Sequence, residues 1–389
     1  MSRRIFCSSK LLAEIFIQER VNTEANLLLK LWNSSISFFI DEYNYQFEDL
    51  ITYKEVIEDY RIQKVISSYD DTQVDFRSNN KALLNQDKIY EFHNDIFIID
   101  EDDEFCELKI KEFGILVISE YSLKNLNLIF MSMFCKLNPI LSYPMTEINL
   151  AGWDYALRES EKEFNFKPIA VNSILICDLY ALTPNNRDPK LLTNDNDIGI
   201  ENLKSLINYL ISYNPNAKID ITLFTNIYKK SNSSNRLGGL QFPISIAKKC
   251  LDDINNYFPN VSFEIFLHDN HPHDLHGRYI ITNFFRIRDS QEKGIRVFYN
   301  DKLKEKSGYL EFDGIFKYLN NNAPKGELND INDWIKKCIE VKDYVIKSIK
   351  YVEEVGKIHQ SLFHLKSPKI VESSKYKFNR FFYNYPNSN

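Results

Sequence analysis

A chain of 389 residues, 44% hydrophobic and 14% aromatic, is long enough to bury a substantial core; this excludes a disordered polypeptide and makes two domains the starting expectation. The net charge of −6 excludes a general attraction to nucleic acid, so any phosphate would have to be met by a local basic patch. The six cysteines (Cys7, Cys106, Cys135, Cys177, Cys250 and Cys338) form no closely spaced pair and read as reduced core residues.

Lys10 and Glu14 interrupt any apolar run at the start, so no secretory leader is expected. The longest apolar stretch, near Leu126 to Phe134, is far short of the ~20 residues a membrane span requires. The expectation is a cytoplasmic protein without a membrane partner.

Taken in order, Ser9 to Tyr43 carries Leu11, Leu12, Ile15, Phe16 and then Leu27, Leu28, Leu31, Trp32 at helical spacing, with a break and a cap near Asn22 or Thr23. Strand-like runs follow at 95–99, 105–110, 114–119 and 126–134. The acidic run Asp100 to Glu104 reads as a solvated hairpin tip, with cation binding as the alternative. A helix over 146–164 leads out of this first module. Residues 1–165 therefore read as an α+β module without a chemical motif.

Residues 166–325 read as an α/β domain, since helical and strand periods alternate. The strand Ile174 to Asp178 ends in an acid. A polar loop (183–197) and a helix over 200–213 follow, with Ile200, Leu203, Leu206, Ile207, Leu210 and Ile211 on one face. Asn214-Pro215-Asn216 stops that helix. Next come a strand at 219–223, a basic loop holding Lys229, Lys230 and Arg236, a helix over 244–258 and a strand at 261–267. A strand at 278–285 and another at 294–299 close the domain. Residues 326–389 read as a C-terminal helix, with Trp334, Cys338, Val341, Val345, Val352, Val355 and Leu362 in a three-four repeat, then a basic-aromatic tail. Packing on its own domain and a dimer seam are both open for that helix. The tail interleaves Lys375, Lys377 and Arg380 with Tyr376, Phe378, Phe381 and Phe382, which suits either single-stranded nucleic acid or a docked terminal strand.

His276 and Arg278 lie two apart on a strand and leave the same face, with Asn283 at the strand's end. This His-x-Arg-x-x-x-x-Asn pattern resembles the His-x-Lys-x-x-x-x-Asp signature of the phospholipase D superfamily. Ile176 to Tyr180 is similar to the first strand of bacterial phospholipase D-like domains. Arg278 stands where that family has lysine and Asn283 where it has aspartate. No glycine occurs between Phe284 and Glu292, so the family's Gly-Ser-x-x-Asn segment is absent.

The resemblance implies a phospholipase D-like α/β domain. Its activity would be that of a metal-independent phosphodiesterase, in particular a nuclease, with phage defence as a setting by analogy. His276 would be the nucleophile, Arg278 the phosphate clamp and Asn283 the orienting partner. A neutral imidazole is a competent nucleophile near neutral pH, and a guanidinium fork suits phosphate oxygens. Asp178, Lys229, Lys230 and Arg236 are the substrate-binding candidates; Asp178 could equally cap the loop that follows it. The family brings two motifs to one site. The nearest second copy here, His364-Leu365-Lys366, has Val371 where the acid or amide should stand, so a homodimer would have to complete the site. No cofactor is expected. Two alternatives stand beside this reading. One is a non-catalytic interaction or nucleic-acid-binding module in a larger complex. The other is a divalent metal held by the histidines and aspartates between His268 and His276.

Overall fold

The computed structural model describes residues 4–8, 11, 37–41, 74–78, 80–85, 95–124, 140–141, 153–154, 157–158, 162, 171–178, 181–182, 197–226, 238–268, 279–289, 295, 308–314, 338–340, 349–352 and 358–361. Five short strands make the first sheet: β1 (Arg4–Ser8), β2 (Ser37–Asp41), β3 (Val74–Ser78), β4 (Ile96–Ile98) and β5 (Leu116–Ile118). All neighbours are parallel, in the order β3-β2-β1-β4-β5. The chain builds outward from β1 on one side, then returns to build on the other. Between β4 and β5 runs the helix α2 (Asp103–Phe113); α1 (Asn80–Leu84) precedes β4 and α3 (Glu120–Lys124) follows β5. The first module is thus a parallel α/β sheet, which corrects the α+β expectation.

Three local readings are corrected with it. The strand expected over 105–110 is the body of α2. The acidic run before it is that helix's N-terminus rather than a hairpin tip. Asp102 is the N-cap, its side chain accepting the Phe105 N–H at 2.7 Å, and Asp103 and Glu104 lie in the first turn, where carboxylates oppose the helix dipole favourably. Cys106 and Phe113 point from α2 into a core of Phe6, Leu84, Phe97, Ile99, Ile115 and Val117. The Phe6 and Phe97 rings stack at 4.3 Å. At the N-terminal ends of these two strands Arg4 clamps Asp95 with Nε at 3.0 Å and Nη2 at 2.7 Å, tying β1 to the start of β4. Residues 37–41, expected to be helical, form β2. Phe38-Phe39-Ile40 is a short apolar run, and periodicity alone cannot separate a strand from a helix in such a run.

The second sheet has nine strands: β6 (Ile140–Leu141), β7 (Ser173–Cys177), β8 (Ile219–Asn226), β9 (Val261–His268), β10 (Tyr279–Thr282), β11 (Phe285–Asp289), β12 (Gly308–Gly314), β13 (Ile349–Val352) and β14 (Ile358–Ser361). Their order is β13-β14-β9-β8-β7-β10-β11-β12-β6. β7, β8, β9 and β14 are parallel neighbours. Helices α4 (Asp197–Ile211) and α5 (Gly238–Tyr257) supply the crossovers that parallel pairing requires. Ile200, Leu203, Leu206, Ile207 and Leu210 of α4 are buried, as its apolar spacing demands. β10, β11 and β12 continue the sheet antiparallel.

Here too the structure corrects the expectation. The single strand expected over 278–285 is two, β10 and β11. The Thr282 hydroxyl accepts the N–H groups of Phe284 and Phe285 and turns the chain between them. Ile295, the one described residue of the strand expected at 294–299, lies in a 3-10 turn. The C-terminal helix is present at 338–340, but its expected second half contains β13 and β14. Ile349, Tyr351 and Val352 favour a pleated surface, and the pairing of β13 with β14 and of β14 with β9 overrides the three-four repeat. The expected strand at 126–134 and the basic-aromatic tail lie outside the described residues. No helix among the described residues is long and apolar enough to cross a membrane.

Candidate functional site

β7 is the middle of the second sheet, and its two ends carry different chemistry. At its C-terminal end Asp178 is 1% exposed; its backbone N–H donates to Phe224 O at 3.0 Å, and its Oδ2 accepts the Ile295 N–H at 2.7 Å. The Ile295 carbonyl in turn accepts from the buried Trp153 indole at 2.9 Å. Asp178 therefore anchors residue 295 and, through it, the helical turn at Trp153. The carboxylate thus reaches a residue 117 positions further on, a partner that neither reading of the sequence named.

Antiparallel to β7 runs β10, with Tyr279 opposite Cys177 and Thr282 opposite Ile174. The chain enters β10 beside Asp178 and leaves it at the far end of β7. Asn283 stands at that far end and is fully buried. Its Oδ1 accepts the Asn172 N–H at 3.2 Å and its Nδ2 donates to the Gly114 carbonyl at 3.1 Å. Asn172 sends its own amide to the Phe113 carbonyl at 3.3 Å. Two asparagines of the second sheet thus satisfy carbonyls left open at the end of α2. Gly114 makes the approach possible. It has φ 61°, and a Cβ there would lie 2.4 Å from the Val171 carbonyl oxygen. Asn214 completes the joint, bonding both the N–H and the carbonyl of Val171.

The residues expected to carry chemistry fall into three groups. Asn283 is a joint residue at the end of β10 opposite the one that the His276 segment leads into. Asp178 is a buried anchor next to the start of β10. His276, Arg278, Lys229, Lys230 and Arg236 lie outside the described residues. Among the described residues no three His, Cys, Asp or Glu side chains converge as a metal site. The acidic run is committed elsewhere: Asp102 caps α2, Asp103 accepts the Ser119 hydroxyl, and Glu101 pairs with Lys81 at 2.6 Å. The residues that sequence reasoning missed are Asn172, Asn214 and Gly114. Asn214 was read only as a helix stop, and its second bond, to a residue 43 positions earlier, has no local signal. Comparison with family models, with curated proteins and with solved structures found no match.

Proposed function

We propose that the second sheet carries a phosphodiesterase site of the phospholipase D type, acting on nucleic acid through His276 and completed by a second copy of the chain. The observation that supports the reading most is the placement of β10. It lies next to β7, and its first residue pairs with Cys177 at the C-terminal end of the parallel strands, where ligands enter sheets of this kind. His276 is three residues before Tyr279, so chain length alone keeps it within about 11 Å of that edge. The loop containing Lys229, Lys230 and Arg236 follows β8, whose C-terminal end lies at the same edge. A nucleophile, a cation two residues on and a basic loop therefore belong to one edge of one sheet. In the reaction a nitrogen of His276 bonds to phosphorus and the ester P–O bond breaks. The leaving oxygen takes a proton from the second copy's histidine, and water then displaces the phospho-histidine. Arg278 neutralises the non-bridging oxygens. Asn283 serves this site only indirectly, by fixing the far end of β10.

The non-catalytic reading is favoured by that same residue, since the family's acid is replaced by an amide committed to the joint. One assay decides between them. Single- and double-stranded DNA and RNA are incubated with the full chain in excess chelator, wild type beside His276→Ala. The phosphodiesterase reading expects cleavage that survives chelator and falls by about 10⁴-fold or more in the variant, the scale of losing a covalent nucleophile. Folded wild-type protein that cleaves none of the four substrates overturns it in favour of a binding module. Cleavage abolished by chelator and retained by His276→Ala points to a metal site instead.

A further inference from the structure

Two thiols that stand 161 residues apart in sequence meet inside the second sheet. Cys177 closes β7 and Cys338 begins the helical turn at 338–340; both are buried, and their Sγ atoms lie 3.2 Å apart. At that distance one thiol donates a weak hydrogen bond to the other. To become a covalent bond the sulfurs would have to close by roughly 1 Å, a movement within reach of small side-chain rotations. The other described cysteines differ. Cys7, Cys106 and Cys250 are buried in the interior without a thiol partner among the described residues, and Cys7 turns its Sγ to the Ser8 carbonyl.

We propose that Cys177 and Cys338 form an intramolecular disulfide by exchange with a low-molecular-weight disulfide such as oxidised glutathione, tying the C-terminal segment to the central strand beside Asp178. The electrons balance in two steps. The Cys338 thiolate attacks the small disulfide, forming a mixed disulfide and releasing one small thiol. The Cys177 thiolate then attacks the Cys338 sulfur and expels the second small thiol. The protein loses two protons and two electrons, and the small disulfide gains them. Cys177 is held between β8 and β10 in the middle of the sheet, whereas Cys338 lies in a helical turn whose next two residues are partly exposed, so the first attack is assigned to Cys338. Burial and the bond to Cys338 push the Cys177 thiol up, so exchange is slow in the folded protein. Once formed, the bond closes a loop that contains β8 to β12, and a loop of this length restricts the unfolded chain strongly.

The test uses the full chain in glutathione buffers of graded redox poise, quenched by alkylation and read by intact mass and peptide mapping. The expected result is a loss of 2 Da, a cross-linked peptide joining residues 177 and 338, and a thermal transition raised by roughly 5 °C or more that reductant reverses. Cys250→Ala should behave as wild type. Cys338→Ala should give no cross-link to Cys177 while melting like the reduced wild-type protein. A glutathione adduct that never resolves, a cross-link between other cysteines, or no oxidation across a range in which the protein stays folded would overturn the proposal. If Cys338→Ala fails to fold, the peptide map of wild type and Cys250→Ala still decides.

Discussion

Asn283 spends both ends of its carboxamide on structure, and this makes it the residue where fold and chemistry give opposite expectations. Its oxygen accepts from Asn172 and its nitrogen donates to Gly114, whose carbonyl belongs to the other sheet's module. Asn283→Asp would restore the acid found in phospholipase D signatures. In this chain it replaces the amide that donates to the Gly114 carbonyl by an oxygen that repels it. Losing a buried hydrogen bond of this kind costs about 1–3 kcal/mol, and burying the new charge adds to it. The expected outcome is a lower urea midpoint at unchanged slope and no gain in phosphodiester cleavage. A rise in cleavage with stability intact would mean that the residue faces the chemistry after all. At this scale the sequence showed residue types and spacings, and hence His276 and Arg278 as a pair. It could not show that Asn283 and Asp178 are committed to partners 169 and 117 residues away, because neither partner leaves a local pattern.

Among the elements, α2 shows how a local signal can be present and still be outvoted in reading. Phe105, Leu108 and Ile110 suggested a short strand, but Asp102 followed by acids, and Gly114 after Phe113, are a helix start and stop. The N-cap bond is testable. Asp102→Ala removes the acceptor of the Phe105 N–H and should cost about 0.5–2 kcal/mol, seen as a lower denaturant midpoint. Asp102→Asn, which keeps the cap oxygen, should recover most of that loss; equal damage from both would assign the effect to the charge and not to the cap. The α4 and α5 elements were legible because each shows one apolar face over three or more turns. β13 and β14 were not, because their strand character comes from pairing, β13 with β14 and β14 with β9, and a three-four apolar repeat supports either conformation in short segments.

At the scale of the whole molecule, each module has two described thiols that burial pushes above the ordinary cysteine range: Cys7 and Cys106 in the first, Cys177 and Cys250 in the second. The alternation of helix and strand in 166–325 was visible in the sequence. The parallel first sheet was not, and neither was the joint that binds the two, since both depend on contacts between distant segments. Buried thiols give that assembly a pH dependence of definite sign. Cys106 is pushed up to about 12, by burial first and then by the neighbouring Asp103, Glu101 and Asp102 carboxylates. An unfolded cysteine releases its proton near pH ~8.5. Below that pH both states hold the proton and the stabilisation is complete. Above it the unfolded chain holds fewer protons than the folded one, so stability falls as pH rises and continues to fall until about 12 for Cys106. Each such thiol contributes a slope of up to ~1.4 kcal/mol per pH unit. Urea midpoints measured from pH 8 to pH 10.5 should therefore decline, and Cys106→Ala should decline less steeply by up to one proton. Lysine and tyrosine deprotonation acts equally on both chains, so the difference in slope isolates the thiol. Parallel curves would mean that Cys106 titrates in the folded protein as it does in water, which a side chain 2% exposed on the core face of α2 should not do.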